Sequence, residues 1–466
     1  MPALESETIC AIATPPGRSG IGIIRISGND ILSISQAILG FSPTPRHAHY
    51  CDFLGSDQQA IDQGIAIYYQ APNSFTGEDI LELQGHGGVQ VLNSLLERIL
   101  ALGARLASPG EFSERAFLND KIDLLQAEAI ADLIDASSKQ AAQSAMRTLR
   151  GEFSECVHEL VTRLTEARVN VEAAIDFSDE DIDVMSDTGV SNSLDKILEQ
   201  LAVVYEQAHQ GVILKEGIHV VIAGIPNAGK SSLLNALSGI DSAIVTDIPG
   251  TTRDLLREEI SIDGMPVHIF DTAGLRPSDD VVEQEGVRRA HDAIDKADQI
   301  LLVIDATTQD KNVNKLLAPL GHLLERRESA EPILKRTALV FNKIDLLADA
   351  EPRTGKANYN GTQIHQIHIS AKHGTGINLL RDHLKSCIGF RPSSEGVFVA
   401  RERHLKALKK AEESIKNAVI QISKYSHLEL VAEDLRVAQR ALNSITGEFT
   451  SDDLLGEIFS SFCVGK

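Results

Sequence analysis

The chain has 466 residues, with 44 Lys and Arg against 66 Asp and Glu, for a formal net charge of −22. That acidity excludes a broad electrostatic grip on nucleic acid, and the absence of Trp with only 4% aromatic residues excludes an aromatic stacking platform for bases. Five cysteines without a CxxC pair fit a reducing compartment, no apolar run approaches the roughly 18 residues of a membrane span, and Met1–Glu7 carries no basic-then-apolar leader, so a cytoplasmic protein is expected.

Residues 1 to about 118 read as a mixed α+β domain. Strand patterns cover Ile9 to Ala13, Ile21 to Ile26, Ile61 to Tyr69 and Ile80 to Leu83, separated by turn signals such as Pro15-Pro16-Gly17 and Ser27-Gly28-Asn29-Asp30. Val91, Leu92, Leu95, Leu96, Ile99 and Leu100 recur at helical spacing. Ser108-Pro109-Gly110-Glu111 predicts a capping box, with Ser at N-cap and Glu three residues on. Between Pro109 and Pro226 no proline interrupts a series of amphipathic helices. The acidic residues Asp176, Asp179, Glu180, Asp181 and Asp183 mark a loop between two of them, a solvated turn or, alternatively, a metal site.

From about residue 217 strands alternate with helices, at 218–223, 258–262, 266–271, 299–305, 337–341 and 364–369. Asp263-Gly264 is a hairpin signal. This is the pattern of a doubly wound α/β domain ending near Cys387. Helical spacing resumes after Pro392, so the α/β unit reads as an insertion into a helical domain.

The α/β stretch opens on Gly224-Ile225-Pro226-Asn227-Ala228-Gly229-Lys230-Ser231-Ser232, which fits G-x-x-x-x-G-K-[ST] between a strand and a helix. Glycines there let backbone N–H groups turn toward phosphate oxygens, Lys230 reaches the β/γ-phosphates, and the Ser231 hydroxyl holds Mg²⁺. Four stations follow in order. Thr246-Asp247-Ile248-Pro249-Gly250-Thr251-Thr252 is a polar loop in which Thr252 offers the Mg²⁺ a second hydroxyl. Asp271-Thr272-Ala273-Gly274 ends a strand, with Asp271 toward the metal and the Gly274 N–H toward the γ-phosphate. Asn342, Lys343 and Asp345 follow the next apolar strand but one, and the acceptor-only carboxylate of Asp345 suits the N1–H and amino group of guanine. Ser370, Ala371 and Lys372 follow the last strand and approach the base from its edge. The set predicts a GTP site. Leu275 stands where many GTPases place a water-orienting Gln. Arg276, Glu283 and Glu285 are the nearest replacements, although Glu283 also reads as a solvent-facing helix residue.

Together these residues closely resemble the MnmE (TrmE) family of tRNA-modifying GTPases, over the whole chain. The resemblance is carried also by Thr14-Pro15-Pro16-Gly17-Arg18, Asn73 through Asp79, Leu83-Gln84-Gly85-His86-Gly87-Gly88, Pro109 through Phe117, Gly250 through Asp254 and the tail Phe462-Cys463-Val464-Gly465-Lys466. Val464 stands where that tail usually has isoleucine, Ile225 where the family often has a basic residue and Pro249 where some members have alanine, the last two at positions touching no presumed ligand. The resemblance implies a multidomain protein with an α+β folate-binding and dimerising domain at 1–118, an all-α domain in two parts at 119–216 and 388–466, and an inserted Ras-like P-loop GTPase domain at 217–387. It implies a homodimer working with the FAD-binding partner MnmG to add a 5-carboxymethylaminomethyl group to wobble uridine-34 of tRNA. The one-carbon source would be 5-formyltetrahydrofolate or a related tetrahydrofolate, held by Arg25, Glu82, Lys121 and Lys466. It further implies K⁺-stimulated hydrolysis, with K⁺ held by Asn227, Thr246, Ile248 and Thr251 and water oriented by Glu283. His86 reads either as a proton-transfer group near the folate or as a hydrogen-bonded turn residue, and Cys463 as a reactive or a packed thiol. The other class of function is a regulatory GTPase switch on RNA or the ribosome, without modification chemistry.

Overall fold

The structure is a computed structural model that describes residues 7–176, 189–239, 257–271, 294–308, 313–317, 331–348, 350–359, 361–391, 396–424, 428–448 and 452–460, with 462 and 465. Two compact units divide the chain. Met1–Ile134, Thr148–Leu201 and Ala407–Lys466 form the first, and Asp135–Arg147 with Ala202–Lys406 the second.

In the first unit β1 (Ile9–Ile12), β2 (Ser19–Gly28), β3 (His49–Leu54), β4 (Ala60–Tyr69), β5 (Asp79–Gly87) and β6 (Arg105–Leu106) make one sheet in the order β3-β4-β5-β2-β1-β6. All neighbours are antiparallel except β1 and β6. Strand alternation sends Ile24, Ile26, Leu81 and Leu83 to one face, where they pack with Ile31, Ile34 and Ile38 of α1 (Ile31–Leu39) and Leu92, Leu95 and Ile99 of α2 (Val89–Ala101). The intervening positions include Arg25 and Glu82, which face each other across β2 and β5. β3 and α1 were not expected. β3 carries no Val or Ile, whereas α1 buries Ile31, Ile34, Ser35, Ile38 and Leu39, a helical spacing present in the sequence that the turn signal just before it obscured.

The predicted capping box forms by half. Helix α3 (Glu111–Leu118) starts at Glu111, with left-handed Gly110 (φ 72°) at the N-cap, so Ser108 is not the cap and no side-chain cap bond forms. A Cβ at Gly110 would strike the Phe459 carbonyl, so tight packing against the last helix settles where α3 begins. Glu111 still accepts the Ser108 N–H at 2.9 Å, but its carboxylate mainly serves Arg105 (2.7 Å) and Arg115 (2.8 Å).

The proline-free stretch is helical as predicted: α4 (Leu124–Ile134), α5 (Lys139–Leu149), α6 (Glu152–Asp176) and α7 (Gly189–Glu216), with helices Glu402–Lys424, Leu428–Thr446 and Asp452–Ser460 near the other end. The acidic residues after Asp176 lie outside the described residues. Val157, Leu160 and Leu164 of α6 are buried, as are Leu435, Ala438 and Leu442 of the 428–446 helix. Gln439 links these two helices by donating to Thr165 Oγ1 at 3.0 Å while accepting from Arg168.

In the second unit β7 (Ile218–Ala223), β8 (Arg257–Ile262), β9 (Met265–Asp271), β10 (Gln299–Asp305), β11 (Thr337–Asn342), β12 (Arg353–Tyr359) and β13 (Thr362–His368) form a sheet ordered β12-β13-β11-β10-β7-β9-β8. The five inner strands are parallel, and β8 and β12 are antiparallel edges. Leu301 and Val303 of β10 join a core containing Leu233 and Leu237 of α8 (Lys230–Ser238). Ile300, Leu302 and Ile304 join another containing Ile333 and Leu334. Burial on both faces explains why these strands read as continuous apolar runs. Asp263 (φ 52°) and Gly264 (φ 90°) close the β8–β9 hairpin, as their sequence predicts, in the doubly left-handed form that matches strand twist. The edge strand β12 was not expected, because Arg-Thr-Gly-Lys-Ala-Asn-Tyr is exposed along most of its length and has no apolar alternation. Among the described residues no helix is long and apolar enough to cross a membrane.

Candidate functional site

The parallel strands of the second unit end together, and the described parts of the predicted stations, at 224–232, 271, 342–345 and 370–372, follow those strand ends, the usual ligand edge of such sheets. β7 runs into Gly224 (φ 147°), the loop turns at left-handed Asn227 (φ 65°) and Gly229 (φ 93°), and α8 begins at Lys230. Gly229 is required for space as well as conformation, since a Cβ there would strike Asn342 Nδ2. Ser231 and Ser232 stand in the first turn of α8, and Ala228 is buried. Lys230 Nζ donates to the carbonyls of Gly224 (3.0 Å) and Ile225 (3.4 Å), so the ammonium lies over the loop that would hold phosphates. β9 ends at Asp271, whose backbone pairs with Ile222 beside the loop; its side chain lies outside what is described.

Asn342 binds three segments together. It is 2% exposed. Its Nδ2 donates to the Ala228 carbonyl at 3.0 Å, and its Oδ1 accepts the N–H of Lys343 (2.8 Å) and of Ala371 (2.9 Å). One amide thus ties the loop at 224–229 to the segments at 343 and 371, filling most of its hydrogen-bonding capacity with protein. In this structure Asn342 is a brace. Lys343, itself left-handed (φ 67°), donates to the Asn227 carbonyl (2.6 Å) and pairs with Asp305 (2.7 Å). The Lys343 ammonium holds the Asp305 carboxyl below its usual range. Sequence spacing missed Asp305. Its only signal was an acidic residue closing the apolar run of β10.

Asp345 Oδ1 accepts the Ser370 hydroxyl at 2.6 Å, and this bond keeps the Asp345 carboxyl below the ordinary range. Oδ2 has His373 at 3.8 Å as its neighbour. An ionised carboxylate with one oxygen oriented by Ser370 and another open can accept two parallel N–H groups, which guanine offers and adenine does not. Ala371 is buried and Lys372 exposed at the rim. Thr246, Asp247, Ile248, Pro249, Gly250, Thr251, Thr252, Thr272, Ala273, Gly274 and Glu283 lie outside the described residues.

The first unit holds a second candidate site, a cavity of about 560 Å³. Tyr69, Phe75, Ile122 and Leu133 give it apolar walls, and Arg25 with Glu82 its charge. Arg25 donates to Glu82 Oε1 through Nε (3.0 Å) and Nη2 (2.9 Å), and its guanidinium lies 5.7 Å from the Phe75 ring centre. A flat heteroaromatic ligand with one polar edge suits aromatic walls around one ion pair. Lys121 is not in the lining. Its Nζ donates to the Pro72 carbonyl at 2.9 Å. Lys466 and Cys463 lie outside the described residues. The aromatic walls were missed because Tyr69 and Phe75 read only as strand and turn residues.

Residues 8–121 match the family model described as the GTP-binding protein TrmE N-terminus, and residues 124–463 match the MnmE helical domain. A protein of Hydrogenovibrio crunogenus is 55% identical over 462 residues, 99% of each chain. One of Chromohalobacter salexigens is 54% identical over 465 residues, covering 100% of this chain and 99% of its own. One of Proteus mirabilis is 54% identical over 463 residues, covering 99% and 100%. All three are named tRNA modification GTPase MnmE. With more than half of its residues identical to these relatives from end to end, and with both family models matched, this chain belongs to the MnmE family.

Proposed function

We propose that this protein hydrolyses GTP to drive modification of tRNA. The observation that carries the reading is the Asn342 brace, which holds the phosphate loop, Lys343 and the Ser370-oriented Asp345 in one recess. GTP binds with its base on Asp345 and its phosphates on the loop from Asn227 to Ser232. Ser231 and Thr252 would hold Mg²⁺, which would neutralise phosphate charge.

Further detail rests on family resemblance together with the residues present. Asn227 offers a side-chain oxygen in the phosphate loop, and hard oxygen donors suit K⁺. With Thr246, Ile248 and Thr251 it would form the K⁺ site, and Glu283 would orient water in place of the Gln that Leu275 replaces. In the first unit, Arg25 and Glu82 at the polar edge of the 560 Å³ cavity fit a reduced pterin. The Glu82 carboxylate would meet the amino-pyrimidine edge, and the apolar walls would exclude water. Lys466 would complete this site, and Lys121 could join it by leaving the Pro72 carbonyl. The bound folate supplies a one-carbon unit. The product is a 5-carboxymethylaminomethyl group at wobble uridine-34, made by a homodimer with an MnmG-type FAD protein in the cytoplasm.

The test has two arms. GTP turnover is measured in KCl and in NaCl, where equal rates would refute the K⁺ reading. Uridine-34 is analysed in tRNA from cells lacking the protein, with and without its return, and an unchanged nucleoside would refute the modification reading.

A further inference from the structure

His86 lies four positions along β5 from Glu82, about 13 Å at the rise of an extended strand. Glu82, Gln84 and His86 occupy the more exposed alternate positions of β5, while Leu83, Gly85 and Gly87 are buried. Asp62 reaches His86 from β4. Its Oδ2 accepts the His86 backbone N–H at 2.7 Å, and its Oδ1 lies 2.7 Å from ring Nδ1. The carboxylate side chain is 9% exposed and the imidazole 72%. Burial pushes the Asp62 carboxyl up, but hydrogen bonds from the His86 backbone and ring outweigh it and hold it below its usual range. An ionised carboxylate only accepts, so Nδ1 donates its proton to Asp62, and in the neutral ring the lone pair is then on Nε2. Nε2 has no partner among the described residues. The surroundings accommodate this pair: a Cβ at Gly85 would strike Asp62 Oδ2, and one at Gly64 would strike the Gln84 carbonyl. A mere turn contact would need only the backbone bond. A buried carboxylate that also fixes the tautomer of an exposed ring is the arrangement of a general base and its orienting acid.

We propose that the Asp62–His86 dyad accepts the proton released at C5 of the target uracil when the one-carbon unit is attached. This rests on the tRNA-modification reading above. The π electrons of the uracil C5–C6 bond form the new bond to a methylene-level carbon carried by the reduced pterin, whose nitrogen leaves with the electron pair of the broken carbon–nitrogen bond. The C5–H bond then breaks, its electrons restore the C5–C6 double bond, and its proton passes to His86 Nε2. The resulting imidazolium lies against the Asp62 carboxylate and later releases its proton to solvent. His86 is the catalytic residue here, and Asp62 positions it.

Asp62→Asn presents an amide N–H to Nδ1 and forces the opposite tautomer. His86→Asn keeps a donor toward Asp62 but has no base, and at an exposed position it leaves the fold intact. Three quantities are read on the full chain. They are the tautomer of His86 by ¹⁵N NMR, tetrahydrofolate affinity by calorimetry, and tRNA modification in the presence of the FAD partner. The wild-type ring should carry its proton on Nδ1 and lose that state in Asp62→Asn. Both variants should slow modification by about 100-fold or more, with folate affinity within twofold. The proposal is overturned if His86→Asn modifies tRNA within threefold of wild type, if folate affinity falls in parallel with modification, or if the wild-type ring is protonated on Nε2. If the wild-type chain binds no tetrahydrofolate, the cavity reading fails alone, and the modification rate of His86→Asn still decides the dyad.

Discussion

Replacing Asn342 with Ala should uncouple the nucleotide recess without unfolding the sheet beneath it. The side chain makes three hydrogen bonds, to the Ala228 carbonyl and the N–H groups of Lys343 and Ala371. Lys343 is partly exposed and can turn its N–H to water, but Ala228 is 1% and Ala371 6% exposed, so two backbone groups would be orphaned. A buried polar group without a partner costs about 1–3 kcal/mol. Two of them set a range of about 2–6 kcal/mol, and seepage of water at a recess open to ligand favours the lower half, about 3 kcal/mol. At about 1.4 kcal/mol per decade that is roughly 100-fold in affinity for guanine nucleotide. Asn342→Asp is the informative companion. It keeps both acceptor bonds but sets a carboxylate oxygen against the Ala228 carbonyl, so it should bind no better than Asn342→Ala. Titration of a fluorescent GDP analogue into the full chain, with a thermal melt as folding control, measures both. Binding by Asn342→Ala within threefold of wild type would show that the three segments hold their places without the amide.

Glu111 sits between two guanidinium groups. Despite burial, which pushes its carboxyl up, hydrogen bonds from Arg105, the Ser108 N–H and Arg115 pull it down to about 2. Its folded pKa is below the unfolded one, so its stabilisation is complete above about pH 4.5 and is lost as pH falls toward 2. Because Arg105 is 43% exposed, the contribution is discounted to about 2 kcal/mol at pH 7. The stability gap between wild type and Glu111→Gln in urea melts should therefore close below pH 4.5, and a gap that widened on acidification would contradict this. Leu339→Ala, in the middle of β11 and 0% exposed, should cost about 2–5 kcal/mol. A loss under 1 kcal/mol in the melt of the second unit would mean that the two-sided core can collapse around the hole. Glu283→Ala should bind GTP normally and lose most turnover, and turnover within twofold of wild type would remove Glu283 from the water-orienting role.

Local chemistry made the phosphate loop legible. Glycines, a lysine and a serine at fixed spacing dictate backbone conformation over a few residues, and left-handed Asn227 and Gly229 follow from that. The buried strands were legible because burial on both faces demands unbroken apolar runs, and Asp263-Gly264 because only such residues tolerate two left-handed positions in succession. Elements whose identity depends on a neighbour stayed hidden. β12 is a strand because β13 offers it an edge. The capping box failed at Ser108 for the same reason, since the Phe459 carbonyl, far along the chain, determines where α3 can start.

Residue spacing predicts Asn342 and Asp345 as nucleotide-binding residues, but the pairings that hold them in place join distant segments. Asn342 to Ala228, Lys343 to Asp305, Asp345 to Ser370 and His86 to Asp62 each bridge elements that meet only when a sheet aligns its strand ends. A sequence by itself determines which side chains can donate, accept or carry charge and what backbone turns its glycines permit. Tertiary structure alone decided which donor faces which acceptor, because hydrogen bonds act over about 3 Å and only the folded chain brings distant groups that close.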